Sequence, residues 1–218
     1  IAVLVGDYLL GKGLLTAIDG GEFEFLKASS NAVRRMSEGE LLQIQKSNEA
    51  DLDEETYFKI ISDKTASLMA SCCEIGALSA SADPAQHAAL RDYGENIGIA
   101  FQIRDDIFDF SGSSKSIGKP VGNDLKEKKI TLPLLFALRQ AEKSEAKAIL
   151  KLVKSGKISK GEIKQVGEFV RSRGGLDYAE KKALEYKNAA LAAIEDFADN
   201  PAKRSLAALT DYIIERNL

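Results

Sequence analysis

Apolar residues along this 218-residue chain recur at the three-to-four-residue spacing of a helix. Nowhere do they alternate with polar residues between turn signals, as half-buried strands require. Only four prolines interrupt the pattern. A chain so patterned is confined to an all-α fold, and its short connections suit one helical bundle. The spacing predicts helices over Ile1–Ile18, Ser30–Lys46, Asp53 to about Ala80, Pro84–Phe110, Leu132–Gln140, Ser144–Lys154, Lys160–Arg173, Asp177–Ala198 and Ala202–Arg216. Asp19-Gly20-Gly21, Asp83-Pro84, Gly156, Gly174-Gly175 and Asn200-Pro201 punctuate them. The first segment is apolar on most sides and reads as a buried helix. With no repeat or low-complexity stretch, residues 1–218 read as a single helical domain.

Composition narrows the function. A net charge of −3 argues against nucleic acid, whose binders displace counterions with basic surface. No apolar run reaches the roughly 18–20 residues of a transmembrane segment. Cys72 and Cys73 are adjacent, which gives neither a disulfide framework nor metal-ligand spacing. They read as small buried thiols of a cytoplasmic protein, and His87, the only histidine, as a helix-surface residue. Ile1 leads straight into an apolar run without a capping residue, and the expectation is a chain that once extended further upstream.

The sharpest chemical feature is Asp105-Asp106-Ile107-Phe108-Asp109 at the end of the long helix. On a helix Asp105 and Asp109 share a face and Asp106 lies one step round. Three like charges repel, and they sit where the helix dipole disfavours anions. Apolar neighbours Ile103, Ile107, Phe108 and Phe110 bury them further. A divalent cation offsets all three penalties, and Mg2+ suits carboxylates that share it with substrate phosphates and water. Taken alone, the pattern also fits a solvated acidic helix end.

Two further features bear on that choice. A glycine- and lysine-rich loop, residues 114–129, follows the acidic helix and offers amides and ammonium groups to phosphate oxygens. It is not a P-loop: five residues separate Gly112 from Gly118, and Pro120 follows Lys119. Upstream, Lys64-Thr65 sets an ammonium and a hydroxyl between Ile60, Ile61, Leu68 and Met69, where a lone lysine would otherwise read as a snorkelling surface residue.

Together these residues resemble the trans-prenyl diphosphate synthase (polyprenyl synthetase) family. The resemblance rests on LVGDYLL at residues 4–10, SEGELLQ at 37–43, SDKTASL at 62–68, GIAFQIRDDIFDF at 98–110 and GKPVGNDLKEKKITLP at 118–133; RGGLDYA at 173–179 matches more loosely. It implies an isoprenoid-synthase-type helical bundle around a central cavity, usually a homodimer, and a Mg2+-dependent prenyltransferase that condenses an allylic diphosphate with isopentenyl diphosphate. It further implies that Asp105, Asp106 and Asp109 hold metal, that Lys64 and Lys119 contact the diphosphate, and that Thr65 and Gln102 line the site, with Gln43 and Asp124 as weaker candidates. The family's first aspartate-rich motif and its isopentenyl-diphosphate-binding Gly-Lys and Arg residues have no counterpart within the 218 residues. The expectation is therefore the C-terminal two-thirds of the fold, N-terminally truncated and inactive alone. A terpene cyclase and a non-catalytic partner subunit of a heteromeric synthase remain as alternatives.

Overall fold

The structure, a computed structural model, describes residues 1–49, 52–80, 83–110 and 122–215. Among the described residues every regular element is helical: α1 (Ala2–Asp19), α2 (Phe23–Glu49), α3 (Glu54–Ile61), a π-helical turn (Ser62–Ala66), α4 (Ser67–Ser79), α5 (Pro84–Phe108), α6 (Asn123–Lys126), α7 (Leu132–Gln140), α8 (Lys143–Lys154), α9 (Lys160–Ser172), α10 (Gly175–Ala193) and α11 (Pro201–Glu215).

Helix α5 is the axis of the bundle. It starts where the sequence signals it: the Asp83 carboxylate accepts the Gln86 amide, and Pro84 occupies the first turn. It packs against α4 on one side and α10 on another. Ile99, Ile103 and Ile107 join Tyr57, Ile61, Leu132 and Leu135 in a core beside the helix's C-terminal half. Tyr93 and Ile97 meet Ala190, Ile194 and Ile213 in a second, and α7, α8 and α9 enclose a third around Leu134, Val153 and Val166. The π-turn and helix α4 approach α5 closely because α5 presents glycines: a Cβ at Gly98 would lie 2.6 Å from Ala66 Cα in the π-turn, and one at Gly94 would lie 2.6 Å from the Met69 carbonyl oxygen in α4.

Several sequence expectations are corrected. Helix α1 is not buried: none of its residues is, and Leu9, Leu10 and Leu15 are about 60% exposed. Its apolarity asks for a cover, and within the chain it packs against α2 alone among the larger contacts. Helix α2 begins at Phe23 rather than Ser30, because the Gly20–Gly21 turn ends at once: the Leu26 amide already bonds to the Glu22 carbonyl. The continuous helix expected from Asp53 is capped there as anticipated, then broken by the π-turn, in which Ser67 N–H bonds five residues back to Ser62. Helix α10 starts at Gly175 and ends at Ala193. Cys72 is exposed and Cys73 half-buried, since the surface of α4 that carries them is only partly covered. His87 is half-buried, its Nε2 enclosed without a partner among the described residues.

Candidate active site

The C-terminal end of α5 forms one wall of a cavity of about 280 Å³, at the small end of the roughly 300–1,000 Å³ usual for ligand clefts. The end of α2 (Gln43, Lys46), α3 (Tyr57, Ile60, Ile61), the π-turn (Lys64, Thr65), α6 and residues 128–131 complete it. Its charged side chains have both signs, carboxylates from α5 and α6 against ammonium groups from α2, the π-turn and the 128–129 segment. Leu52, Ile60, Ile61, Phe108 and Ile130 supply apolar lining.

Of the residues the sequence points to, Lys64, Thr65, Gln102, Asp105, Asp106, Asp109, Gln43 and Asp124 all line this one cavity. Lys119 and the loop to residue 121 lie outside the described residues. Lys64 Nζ is 2.6 Å from Glu40 Oε2 and donates to Gln43 Oε1 at 3.0 Å. Thr65 Oγ1 donates to Gln102 Oε1 at 3.0 Å, and Gln102 Nε2 donates to Asp106 Oδ1 at 2.9 Å. The π-turn and α5 are thereby joined by a side-chain relay at the cavity wall.

The three aspartates differ more than their spacing suggests. Asp106 is 3% exposed, and its second oxygen accepts the Tyr57 hydroxyl at 2.7 Å. Burial pushes its carboxyl up to about 7 despite the Tyr57 and Gln102 bonds, and Asp124 and Asp105 raise it further. Burial likewise pushes the Tyr57 hydroxyl up, so the phenol keeps its proton and donates it to Asp106. Asp109 caps the short α6 turn, its two oxygens accepting the Asn123 and Asp124 amides at 2.9 and 3.2 Å. Burial, then Asp124, pushes it up to about 6. Asp105 is half-buried on the cavity wall. Among the described residues no three His, Cys, Asp or Glu side chains converge closely enough to hold a metal between them. That still fits Mg2+, which takes one or two carboxylates and completes its shell with water and substrate phosphate. Burial first, and repulsion from Asp124 second, raise both Asp106 and Asp109, as expected of enclosed carboxylates short of positive charge.

The sign of the pH effect follows. Both carboxyls titrate higher folded than the ordinary value near 4, so the folded chain binds extra protons from about pH 4 to the values near 6 and 7. Their contribution to stability is full at the acid end of that window and is lost as pH rises through it. Between pH 5 and 7.5 in EDTA, Asp106→Asn is expected to flatten the decline of Tm with pH. Parallel curves for the two chains contradict this.

Sequence reasoning missed Tyr57, Lys46, Lys129 and Thr131. Lys129 Nζ lies 2.6 Å from Glu127 Oε2 and 3.5 Å from Asp124 Oδ1; inside a run of charges it gave no signal of its own. The Thr131 hydroxyl is enclosed at the cavity without a partner among the described residues. Tyr57 stands seven residues before Lys64, a spacing that shares a helix face and was open to notice.

A family model described as Polyprenyl synthetase matches residues 1–170 of this arrangement. The chain belongs to the polyprenyl synthetase family. It is 32% identical over 216 residues to the octaprenyl diphosphate synthase of Escherichia coli (strain K12), covering 99% of this chain and 67% of that protein. The crystal structure of a polyprenyl synthase from Caulobacter crescentus CB15, complexed with calcium and isoprenyl diphosphate, superposes with a TM-score of 0.91 at 35% identity, covering 98% of this chain and 65% of that one. A geranylgeranyl pyrophosphate synthase from Bacteroides thetaiotaomicron gives 0.88 at 38%, covering 98% and 71%. The chain thus spans about two thirds of the length of its polyprenyl synthetase relatives, and the likeness runs through the C-terminal helices where the sequence motifs are loosest.

Proposed function

We propose that this chain is a helical domain of a prenyltransferase that condenses an allylic diphosphate with isopentenyl diphosphate to make a trans-polyprenyl diphosphate. The observation that carries the reading is the shared cavity: Lys64 and Thr65 on one wall, Asp105, Asp106 and Asp109 on another, and an apolar lining between. The polyprenyl synthetase relatives support it: an octaprenyl diphosphate synthase, and a polyprenyl synthase complexed with calcium and isoprenyl diphosphate.

In the reaction the allylic C–O bond breaks, and the diphosphate leaves with the electron pair. The double bond of isopentenyl diphosphate then bonds to the allylic carbon, and a proton is lost to the released diphosphate. Lys64 binds the leaving group, exchanging its contacts with Glu40 and Gln43 for phosphate oxygens. The Thr65 hydroxyl, held by Gln102, lines the same position. Lys119 serves the same group from the loop. Asp105, with Asp109, would hold Mg2+, and the ion would supply charge neutralisation for the departing diphosphate. Asp106 supports that set from behind, fixed by Tyr57 and Gln102. Apolar lining beyond the charges keeps water from the allylic cation.

A second copy of the chain covers the exposed apolar face of α1, giving a homodimer in the cytoplasm; no described helix is long and apolar enough to cross a membrane. One aspartate-rich segment stands within the 218 residues, so these residues alone supply one side of a metal–diphosphate assembly and are expected to show no condensation. Diphosphate release is measured for that chain and for longer forms of the protein, with geranyl or farnesyl diphosphate, Mg2+, and with or without isopentenyl diphosphate. Release that requires isopentenyl diphosphate supports the synthase. Release without it indicates a cyclase, and none from any form indicates a non-catalytic subunit. A monomer by sedimentation velocity excludes the dimer.

A further inference from the structure

The π-turn divides its own side chains between two environments. Lys64 and Thr65 face the cavity, whereas Ser62 and Asp63 face away from it and are held by a residue of α2, Arg35. Arg35 Nε donates to Asp63 Oδ1 at 2.8 Å, and one terminal nitrogen donates to Ser62 Oγ at 2.8 Å. The two terminal nitrogens also grip both oxygens of Glu95, on α5, at 2.9 and 2.7 Å. The Ser62 hydroxyl closes the ring by bonding to Glu95, and Lys59 Nζ reaches the other Asp63 oxygen at 2.9 Å. A single guanidinium therefore ties α2, the π-turn and α5 together, and neither Arg35 nor Glu95 lines the cavity.

The backbones agree with this bracing. One turn along α2 from Arg35, a Cβ at Gly39 would stand 2.7 Å from the Lys64 amide nitrogen. Three residues along α5 from Glu95, Gly98 touches Ala66. The π-turn is thus clasped where Lys64 and Thr65 leave it. Such a turn competes with regular α-helix, and a one-residue relaxation would rotate Lys64 and Thr65 by about 100° around the axis. Burial pushes the Asp63 carboxyl up, and Lys59 and Arg35 together outweigh that and hold it below the ordinary carboxylate range.

We propose that Arg35, acting with Asp63 and Glu95, is a positioning residue that locks the π-turn so that Lys64 and Thr65 meet the diphosphate. The inference rests on the cavity reading above. Lysine cannot replace the guanidinium, because one ammonium cannot span three partners on two other elements at these distances.

The test is a double-mutant cycle on the protein in the form that shows condensation. Arg35→Met, Arg35→Lys, Glu95→Gln and Lys64→Ala are compared, along with Arg35→Met and Glu95→Gln each combined with Lys64→Ala. Displacing a binding group by about 1 Å costs on the order of 100-fold, so Arg35→Met is expected to lower kcat/KM for the allylic diphosphate by ~10- to 100-fold. Arg35→Lys is expected not to restore it. In the Lys64→Ala background most of the Arg35→Met loss should vanish, since the group it positions is gone. Glu95→Gln, which keeps the shape but removes the charge and turns one of the two acceptor oxygens that Arg35 grips into a donor NH2, carries the same cycle if Arg35→Met does not fold. Losses that simply add, or a lowered Tm with unchanged kcat/KM, overturn the inference and leave Arg35 as a stability residue. An unaffected Lys64→Ala instead overturns the cavity reading itself, and the two failures are thereby told apart.

Discussion

Asp105→Ala is expected to lower the condensation rate by at least ~10²–10³-fold, the usual loss for one preorganised electrostatic contact to a developing charge, and by more where the metal is lost with it. Asp105 is a half-buried carboxylate on the cavity wall, beside Asp106, whose proton affinity it helps raise. Its removal relieves repulsion within the cluster, so Tm should hold or rise. Lys119→Ala should act mainly on KM for the allylic diphosphate. Steady-state kinetics at saturating Mg2+, with melting curves alongside, separate these outcomes. A solvated acidic helix end predicts near-normal turnover for Asp105→Ala, and that result would remove the metal from the site.

Gly98→Val is expected to destabilise the chain by about 3 kcal/mol or more, the upper range for forcing atoms into a packed core. The cause is backbone against backbone: the added Cβ would stand 2.6 Å from Ala66 Cα and 2.8 Å from Ala66 Cβ, and neither is the movable end of a side chain. For a domain of 150–250 residues, a loss of about 3 kcal/mol lowers Tm by roughly 6–12 °C. It would also push the π-turn off α5 and so strike the site. Gly76→Ala is the contrast. It lies inside α4 with nothing within 4 Å of a new Cβ, and should gain roughly 0.5–1 kcal/mol from helix propensity. If both variants melt with the parent chain, the close contact between α5 and the π-turn is not a real constraint.

Much of the fold was legible because helices announce themselves locally. Asp83-Pro84, the Asp53 cap and the Leu132–Gln140 helix stand where the sequence places them. So does much of the site. Each part of the Lys64-Thr65 pair and the Asp105–Asp109 segment was ambiguous alone, but both share one cavity. Helix starts without a cap signal, such as Phe23, were misjudged by several residues, because the turn before them was tighter than its two glycines revealed.

The periodicity of this sequence, its caps and its few prolines determined an all-helical chain, and its motifs determined which side chains bear chemistry, because both depend on neighbours within one or two turns. The tertiary structure alone decided how those side chains are used. Asp106 turned inward to Tyr57, 49 residues away, and Asp109 became the cap of α6 through the Asn123 amide, 14 residues away. Arg35, which no sequence motif singled out, reached Asp63 and Glu95 at separations of 28 and 60 residues. Burial is a property of the whole packing: it left the apolar α1 uncovered and enclosed Asp106, and no local pattern contains that information.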